Sequence, residues 1–317
     1  MKVSDPLLAT HTIPPLIRPS RWQIWLMAVR YFSFTASVIP ILIGSTLALI
    51  DRRFEPIFFV IMLIAAIVCH AGANLANDYF DHVKGIDTPE SLGPSKAIQQ
   101  SLLTPAEVKR GMIVAFAVAS LLGLIIVSQT GWQILALALA SLAAAFFYTG
   151  GPKPLGYMAL GEVTVLIFMG PVMIGGAYYV LADRLTWDVI LVSIPIGFVV
   201  AAILHANNIR DIDLDRKAGK VTLATLLGRR GANIEYGVLV VGAYLVTVLL
   251  ILRDPDFWPV ALVAASVPAA RSMLRLIFSS AQGPALNIAV RKTAGLHLRF
   301  GSFMTLGLFV RVILDRL

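Results

Sequence analysis

The sequence has little of what a soluble or disulfide-stabilised protein contains. Only 14% of its 317 residues are charged, against roughly 25% in a typical soluble domain, and 58% are hydrophobic. Cys69 is the only cysteine, so an internal disulfide and a cysteine-rich metal site are both excluded. Long apolar runs recur along the chain instead, which is typical of an integral membrane protein.

The first 21 residues lack the apolar stretch of a cleavable signal peptide, because they are mixed in character and contain proline. We therefore expect residues 1–21 to form a short cytoplasmic tail. A nucleic-acid partner is not expected either, since no basic stretch alternates with exposed aromatic residues. The net charge of +8 is better explained by Lys and Arg retained on the cytoplasmic side of a membrane.

Nine segments are long and apolar enough to cross roughly 30 Å of hydrocarbon. They are 30–50, 56–77, 111–129, 132–150, 160–181, 188–208, 234–252, 257–275 and 297–316. Lipid offers no partners to backbone N–H and C=O groups, so each segment is predicted to be an α-helix. The sequence therefore predicts an all-α, polytopic transmembrane bundle of about nine helices, with residues 1–317 in a single domain.

The distribution of basic residues predicts the orientation of this bundle. With the N-terminus inside, 20 of the 26 Lys and Arg residues fall on the inner side and six on the outer side. The positive-inside rule therefore favours a cytoplasmic N-terminus. The second and sixth segments then both end on the cytoplasmic side.

Asparagine and aspartate concentrate at the cytoplasmic end of the second segment. Asn74, Asp78 and Asp81 are spaced i, i+4 and i+7, so they share one face of a helix. Asn77 borders this face, and Asp87 follows in the loop. We call these five residues the first cluster.

A second cluster occupies the corresponding end of the sixth segment. Asn207, Asp211 and Asp215 are spaced i, i+4 and i+8, again on one face, with Asn208 and Asp213 nearby. Two clusters with asparagine at the same offset are difficult to explain as ordinary solvated loops, although either one alone is compatible with that interpretation.

The chemistry of the two clusters favours a hard divalent cation. Carboxylates on one helix face repel each other, and partial burial at a membrane increases that cost. No His or Cys stands at ligand spacing, and oxygen-only donors suit Mg²⁺ or Ca²⁺. Because Mg²⁺ usually keeps room for waters or substrate phosphates, two facing clusters would hold Mg²⁺ ions with a diphosphate between them.

Basic residues accompany the acids, as a diphosphate requires. Lys84 follows the first cluster, and Arg210 and Lys220 flank the second. The loop YTGGPKPLGY (148–157) cannot continue a helix, and it would hold Tyr148 and Lys153 at the cytoplasmic mouth. Each basic residue alone is also explained as a membrane anchor, and the loop as a plain connection.

Three further polar residues have two interpretations each. Glu162 either caps the fifth helix or faces substrate. His70 precedes Asn74 on the same helix face, so it either supports the first cluster or is a satisfied core histidine, and His205 has the same alternatives before the second cluster.

From about residue 28 to 316 the chain resembles the UbiA superfamily of intramembrane aromatic prenyltransferases. The matching stretches are NLANDYFDHVKGID (74–87), NNIRDIDLDRKAGKVTLATLLG (207–228), YTGGPKPLGYMALGE (148–162) and VRYFSFTASVIPILIG (29–44). The last three are most similar to the menaquinone branch, the 1,4-dihydroxy-2-naphthoate polyprenyltransferases. The first motif departs from the regular pattern, because His82 stands where an acid is expected and Asp81 precedes it.

The resemblance implies Mg²⁺-dependent transfer of a polyprenyl group from polyprenyl diphosphate to a small aromatic acceptor. For this branch the acceptor is 1,4-dihydroxy-2-naphthoate, which loses CO₂ to give demethylmenaquinone. It also implies an enzyme of the prokaryotic inner membrane with its active site toward the cytoplasm. Acceptors of the 4-hydroxybenzoate, haem and chlorophyllide types stay open, and a cation transporter is the non-enzymatic alternative.

The resemblance also assigns roles to individual residues. The Mg²⁺ ligands would be Asn74, Asp78, Asp81, Asn207, Asp211 and Asp215, with Asp87 as the alternative to Asp81. The diphosphate would be bound by Arg30, Lys84, Lys153, Arg210 and Lys220. Catalytic roles would fall to Asp78, Tyr148, Lys153 and Asp211.

Overall fold

The structure is a computed structural model that describes residues 19–87, 95, 97–279, 281 and 283–317. Residues 1–18 of the expected N-terminal tail lie outside the described residues. The helices are α1 (Arg21–Ala28), α2 (Thr35–Ile50), α3 (Pro56–Val83), α4 (Pro105–Thr130), α5 (Trp132–Phe147), α6 (Gly161–Ile167), α7 (Met173–Ala182), α8 (Trp187–Lys217), α9 (Leu223–Arg253), α10 (Val267–Ile277) and α11 (Asn287–Leu314).

Within the described residues, eight helical stretches are long and apolar enough to cross a membrane, and α5 is a shorter apolar helix. The eight are Tyr31–Ile50, Pro56–Val83, Pro105–Thr130, Gly161–Ala182, Trp187–Lys217, Leu223–Arg253, Pro255–Ile277 and Asn287–Leu314. Together with α5 they correspond one to one to the nine predicted segments. The prediction of an all-α bundle of about nine helices is therefore confirmed, and the chain is an integral membrane protein.

Several helices are longer than the apolar segments that predicted them. Helix α3 continues to Val83 and α8 to Lys217, so both clusters except Asp87 lie on helices rather than in loops. Helix α9 begins at Leu223 and bends at Gly228, whose φ of 66° is left-handed. The predicted segments 188–208 and 234–252 are therefore shorter than α8 and α9, because hydropathy detects the apolar span and not the polar turns that extend it.

Two of the crossings contain irregular turns. Between α6 and α7 the chain forms a π-helical turn, Phe168–Val172, which holds Pro171. Proline removes a backbone donor, and a π-turn is a common way to accommodate that loss inside a helix. The crossing Pro255–Ile277 begins as a 3₁₀-helix, Pro255–Ser266, and becomes α10 at Val267.

Helix α8 is the central helix and packs against α6, α9 and α11. Small residues permit the closest approach: a Cβ added to Gly170 would lie 3.0 Å from Cα of Gly197 on α8. Gly44 on α2 is similarly close to α7, because its Cβ would lie 2.6 Å from the backbone oxygen of Ile174. Small residues serve this purpose generally in membrane helix bundles, and here they fix α8, which carries the second cluster.

Candidate active site

A large cavity of about 710 Å³ lies between α3, α4, α5, α7 and α8. At one end it is lined by residues of both clusters, and we call this the site end of the bundle. Elsewhere the lining is mostly apolar and includes Met62, Leu142 and Met173. The structure therefore brings together two motifs that are 120 residues apart in the sequence, from Asp87 to Asn207, at the mouth of an apolar chamber.

Arg30 holds the first cluster at Asp78. Its guanidinium Nη2 donates to the Asp78 carboxylate and, at 2.7 Å, to Oδ1 of Asn77. Arg30 stands just before α2 with a left-handed φ of 54°, which turns the chain so that the side chain reaches α3. Asn74 donates its amide to the backbone oxygen of Val29 at 2.8 Å, so the same segment is bonded at two points.

Asp81 is bonded on both carboxylate oxygens. Asn77 Nδ2 donates to Oδ2 at 2.9 Å, and the hydroxyl of Tyr157 donates to Oδ1. Burial and the neighbouring Asp81 charge raise the pKa of Tyr157 above its usual value, so the phenol remains a donor. Tyr157 closes the loop motif 148–157, and no role was predicted for it from the sequence.

Asp87 follows α3 and lies close to the carboxylates of Asp81 and Asp78. Its backbone N–H donates to the backbone oxygen of Asp81 at 3.2 Å, and its side chain lines the cavity. Burial raises the pKa of Asp87 to about 6, and the carboxylates of Asp81 and Asp78 add to the effect. A carboxyl group with this surplus of negative neighbours is suited to binding a cation, so Asp81 and Asp87 both stay candidates for the third position.

The second cluster is built around Arg210. Its Nε and Nη2 donate to the two oxygens of Asp211 at 2.8 and 2.6 Å, and Nη2 also donates to Oδ1 of Asn207 at 2.7 Å. On the other side Nη1 donates to Oδ1 of Asn287 at 2.9 Å. Arg210 is buried, so it fixes the cluster and ties α8 to the start of α11.

Lys220 supplies the second cation of this cluster. Its Nζ lies 3.3 Å from Oδ1 of Asp215 and 5.4 Å from the ring centre of Tyr157. Burial lowers the pKa of Lys220, but the charges of Asp215, Asp81 and Asp211 outweigh it and hold the pKa above its usual value. Within the described part of the chain, Oδ2 of Asp215 is buried without a hydrogen-bond partner, which leaves one carboxylate oxygen for a cation.

The two clusters are linked through their loops. Ala159 donates its backbone N–H to the backbone oxygen of Val221 at 2.9 Å, beside an isolated parallel bridge between Met158 and Val221. This contact places Tyr157 of one loop over Lys220 of the other. The result is a continuous polar surface that runs from Asp81 to Asp215.

Two predicted diphosphate ligands lie elsewhere. Lys84 donates from Nζ to the backbone oxygens of Thr149 at 2.6 Å and Gly151 at 3.2 Å, so its charge anchors the 148–157 loop. Lys153 is exposed on that loop. Neither lysine is among the described residues that line the cavity. The assignment of these two lysines to the diphosphate stays a prediction.

Tyr148 lines the cavity. Its backbone oxygen accepts from Gly156 at 2.9 Å, and a Cβ on Gly161 would lie 3.0 Å from the Tyr148 hydroxyl. Burial raises the pKa of Tyr148 well above its usual value, with Glu162 and Asp81 adding to the effect. Tyr148 is therefore a neutral phenol packed among small residues.

Glu162 lies in the first turn of α6 and is bonded to two side chains of α8. It is buried, and its Oε1 lies 2.9 Å from Nδ1 of His205 and accepts from Nδ2 of Asn208 at 2.8 Å. His205 Nε2 lies 2.8 Å from the backbone oxygen of Ala232. This network joins α6, α8 and α9, and it touches the cavity through Asn208.

Comparison with known proteins agrees with this geometry. The sequence model of the UbiA prenyltransferase family matches residues 37–288. The chain belongs to the UbiA prenyltransferase family. It is therefore a membrane-embedded enzyme that transfers prenyl groups, and the resemblance seen in its motifs is confirmed.

Two curated bacterial relatives cover nearly the whole chain. The 1,4-dihydroxy-2-naphthoate octaprenyltransferase of Bacillus subtilis (strain 168) is 31% identical over 293 residues, which is 92% of this chain and 94% of the relative. The protein of the same name from Escherichia coli (strain K12) is 33% identical over 301 residues, or 92% and 96%.

The fold is also similar to solved structures. A UbiA homologue from Archaeoglobus fulgidus, bound to DMAPP and Mg²⁺, superposes with a TM-score of 0.65 at 11% identity, covering 90% of this chain and 99% of that one. A further UbiA homologue, from Aeropyrum pernix K1, gives 0.62 at 17% identity, covering 91% and 99%. These likenesses establish the family's helical architecture for this chain.

Proposed function

We propose that the enzyme transfers a polyprenyl group from polyprenyl diphosphate to 1,4-dihydroxy-2-naphthoate, with loss of CO₂, to give demethylmenaquinone. One observation carries the proposal: two acid clusters and three cationic side chains line the polar end of a cavity that is otherwise apolar. This arrangement suits a substrate with a charged diphosphate head and a long hydrocarbon tail. The names of the Bacillus and Escherichia relatives support the choice of acceptor.

The donor set fits Mg²⁺. All of its side chains offer oxygen, the free Oδ2 of Asp215 needs a partner, and Mg²⁺ prefers carboxylates together with substrate phosphates. We assign one half of the metal site to Asn74, Asp78 and Asp81, with Asp87 as the alternative to Asp81, and the other half to Asn207, Asp211 and Asp215. Bound Mg²⁺ would neutralise diphosphate charge as the leaving group departs.

The cationic side chains of the cavity would bind the diphosphate oxygens. Arg30, Arg210 and Lys220 each already meet an acid of the clusters, so they stand where phosphate oxygens would lie between the two halves. Charge-assisted hydrogen bonds from arginine suit phosphate well. Lys84 and Lys153 are left out of this assignment, because neither is among the described residues that line the cavity.

The apolar chamber protects the reaction. As the allylic C–O bond breaks, its electrons leave with the diphosphate and the prenyl carbon becomes electron-poor. The electron-rich ring forms a C–C bond at the carbon that bears the carboxylate, and CO₂ leaves while its bonding electrons restore the aromatic ring. A lining of Met, Leu and Ala side chains keeps out water that would otherwise capture the prenyl carbon.

We further propose that the site end faces the cytoplasm of a prokaryotic cell and that the enzyme lies in its inner membrane. The distribution of 20 against six basic residues between the two sides supports this orientation. Modification of single introduced cysteines by a membrane-impermeant thiol reagent tests it, in a Cys69→Ala background. A cysteine at Lys153 should react only after the cells are opened, and reaction in intact cells would reverse the orientation.

The function is tested with the purified protein, Mg²⁺ and radiolabelled polyprenyl diphosphate against a panel of acceptors. The panel contains 1,4-dihydroxy-2-naphthoate, 4-hydroxybenzoate, haem and a chlorophyllide. We expect transfer to the naphthoate with one CO₂ released per prenyl group. Preferred transfer to another acceptor would contradict the acceptor assignment, and no transfer combined with Mg²⁺-dependent cation flux in vesicles would restore the transporter alternative.

A further inference from the structure

A group of three polar side chains interrupts the apolar wall of the cavity. His70 lies on α3 one helical turn before Asn74, Ser33 reaches it from the turn before α2, and Ser37 reaches it from the first turn of α2. All three line the cavity. Four residues of α-helix advance about 6 Å, so this trio lies one turn deeper in the membrane than the first cluster.

The hydrogen bonds of the trio fix the roles of its atoms. Ser33 Oγ donates to the backbone oxygen of Arg30 at 2.8 Å, so toward Nε2 of His70, at 3.2 Å, it acts as the acceptor. Nε2 therefore carries the hydrogen, and in a neutral imidazole Nδ1 accepts from Ser37 Oγ at 2.8 Å. No other described residue bonds the Ser37 oxygen, and the Ser37 side chain is buried in the cavity wall.

The imidazole ring is held from its other side. Phe34 packs edge-on against it, with ring centres 5.6 Å apart and planes at 65°. Other hydroxyls of the lining are used differently: Ser120 and Thr164 donate to the backbone oxygens of Phe116 and Leu160 on their own helices. The His70 trio thus joins two elements beside a mostly apolar space, and Ser33 Oγ also accepts from Asn74 Nδ2 at 3.3 Å.

We infer that His70, through Ser37 and Ser33, binds a ring hydroxyl of the aromatic acceptor. The inference rests on the proposed function, because it names the part of that site that holds the second substrate. A hydroxylated ring entering an apolar chamber must recover the hydrogen bonds it loses to water, and a few placed polar groups in an apolar pocket orient such a ligand. A ring held here lies one helical turn from the diphosphate, beside the prenyl carbon that it attacks.

The test separates the affinities for the two substrates. His70→Leu removes the acceptor for the Ser37 proton and should raise the KM for the aromatic acceptor by about tenfold, as expected for one lost hydrogen bond in a buried site. The KM for polyprenyl diphosphate should stay within about twofold. His70→Gln restores a polar partner and should recover most of the acceptor affinity.

The matched control is His297→Leu. His297 is a buried histidine on α11 whose Nδ1 lies 3.4 Å from Thr35 Oγ1, and it is not among the described residues that line the cavity. This change should leave both KM values unchanged. Ser37→Ala is the smaller variant of the site itself, and it should raise the acceptor KM in the same direction even if His70→Leu folds poorly.

Two outcomes overturn the inference. An unchanged acceptor KM in Ser37→Ala and in His70→Leu would remove the trio from acceptor binding. An equal rise of both KM values without recovery in His70→Gln would assign it a purely structural role. Failure of the proposed function is separate, because it shows in the wild-type enzyme as the absence of transfer to any aromatic acceptor.

Discussion

The first cluster takes its arginine from another part of the chain, whereas the second carries its own. Arg30 reaches Asp78 from the turn before α2, and Tyr157 reaches Asp81 from the 148–157 loop. In the second cluster Arg210 directly precedes Asp211 on the same helix. The first half of the site therefore forms only when three segments assemble, while the second is largely complete once α8 exists.

This difference explains what each half contributes. The second cluster is tied to a second helix, because Arg210 is buried and bonded to Asn287 on α11. The first cluster includes Asp87 in a loop, beside Asp81 and Asp78, with its pKa raised to about 6. We expect the second half to hold its metal ligands in place and the first half to adjust when metal and diphosphate bind.

The largest effect is expected from removing the central acid of either cluster. Asp78→Ala and Asp211→Ala should each lower turnover by about 10²–10³-fold or more, a loss typical of removing one electrostatic contact to a developing charge. Initial rates of labelled prenyl transfer at saturating substrates measure it. Asp213→Ala is the control, since Asp213 is exposed on the same helix, and near-normal turnover in either main variant would refute the metal assignment.

The two arginines should differ in their contribution to stability. Arg210→Gln breaks a buried ion pair and should lower the free energy of unfolding by about 3–5 kcal/mol, in addition to weakening polyprenyl diphosphate binding. Arg30→Gln should weaken polyprenyl diphosphate binding by roughly 10–100-fold, the equivalent of one hydrogen bond to a charged group, with a smaller loss of stability because Arg30 is less buried than Arg210. Thermal unfolding and analogue binding distinguish the two, and identical profiles would show that the clusters are not built differently.

A smaller effect is expected at Tyr157. Tyr157→Phe removes the hydroxyl that holds the Asp81 carboxylate and should raise the Mg²⁺ concentration needed for half-maximal rate by roughly tenfold, since a hydrogen bond to a charged group contributes about 1.5–3 kcal/mol. Tyr244→Phe is the matched control, because that hydroxyl bonds Ser266 outside the cavity. An unchanged Mg²⁺ requirement in Tyr157→Phe would favour Asp87 over Asp81 as the third ligand.

The smallest effect is expected at Lys153. Lys153→Met should leave both KM values within about twofold, because substitutions at exposed positions rarely change free energies by more than about 0.5 kcal/mol. Lys220→Met makes the same chemical change inside the cavity and should weaken diphosphate binding by about tenfold. A loss in Lys153→Met as large as that in Lys220→Met would return Lys153 to the site.

Helical periodicity was sufficient to predict much of this architecture. The spacing of Asn74, Asp78 and Asp81 predicted one helix face, and the apolar runs predicted the nine crossings. These features depend on local sequence alone. The structure adds that Asn207, Asp211 and Asp215 line the same cavity as the first cluster.

The directions of loop side chains could not be predicted in this way. Lys84 and Lys153 were natural diphosphate ligands by composition, yet Lys84 caps the backbone oxygens of a neighbouring loop and Lys153 faces outward. Tyr157 was missed because its role depends on the contact of Ala159 with Val221, which joins two distant loops. Such contacts arise from tertiary packing and leave no periodic signal in the sequence.

The most direct test of the two-halves account is a structure with Mn²⁺ in place of Mg²⁺ and an unreactive polyprenyl thiolodiphosphate. Anomalous scattering locates the metal ions independently of the protein atoms. We predict Mn²⁺ at both Asp78 and Asp211, with the diphosphate between them and the prenyl chain in the apolar chamber. Metal and diphosphate bound at one cluster, with the other still paired only to its own basic residues, would contradict the account.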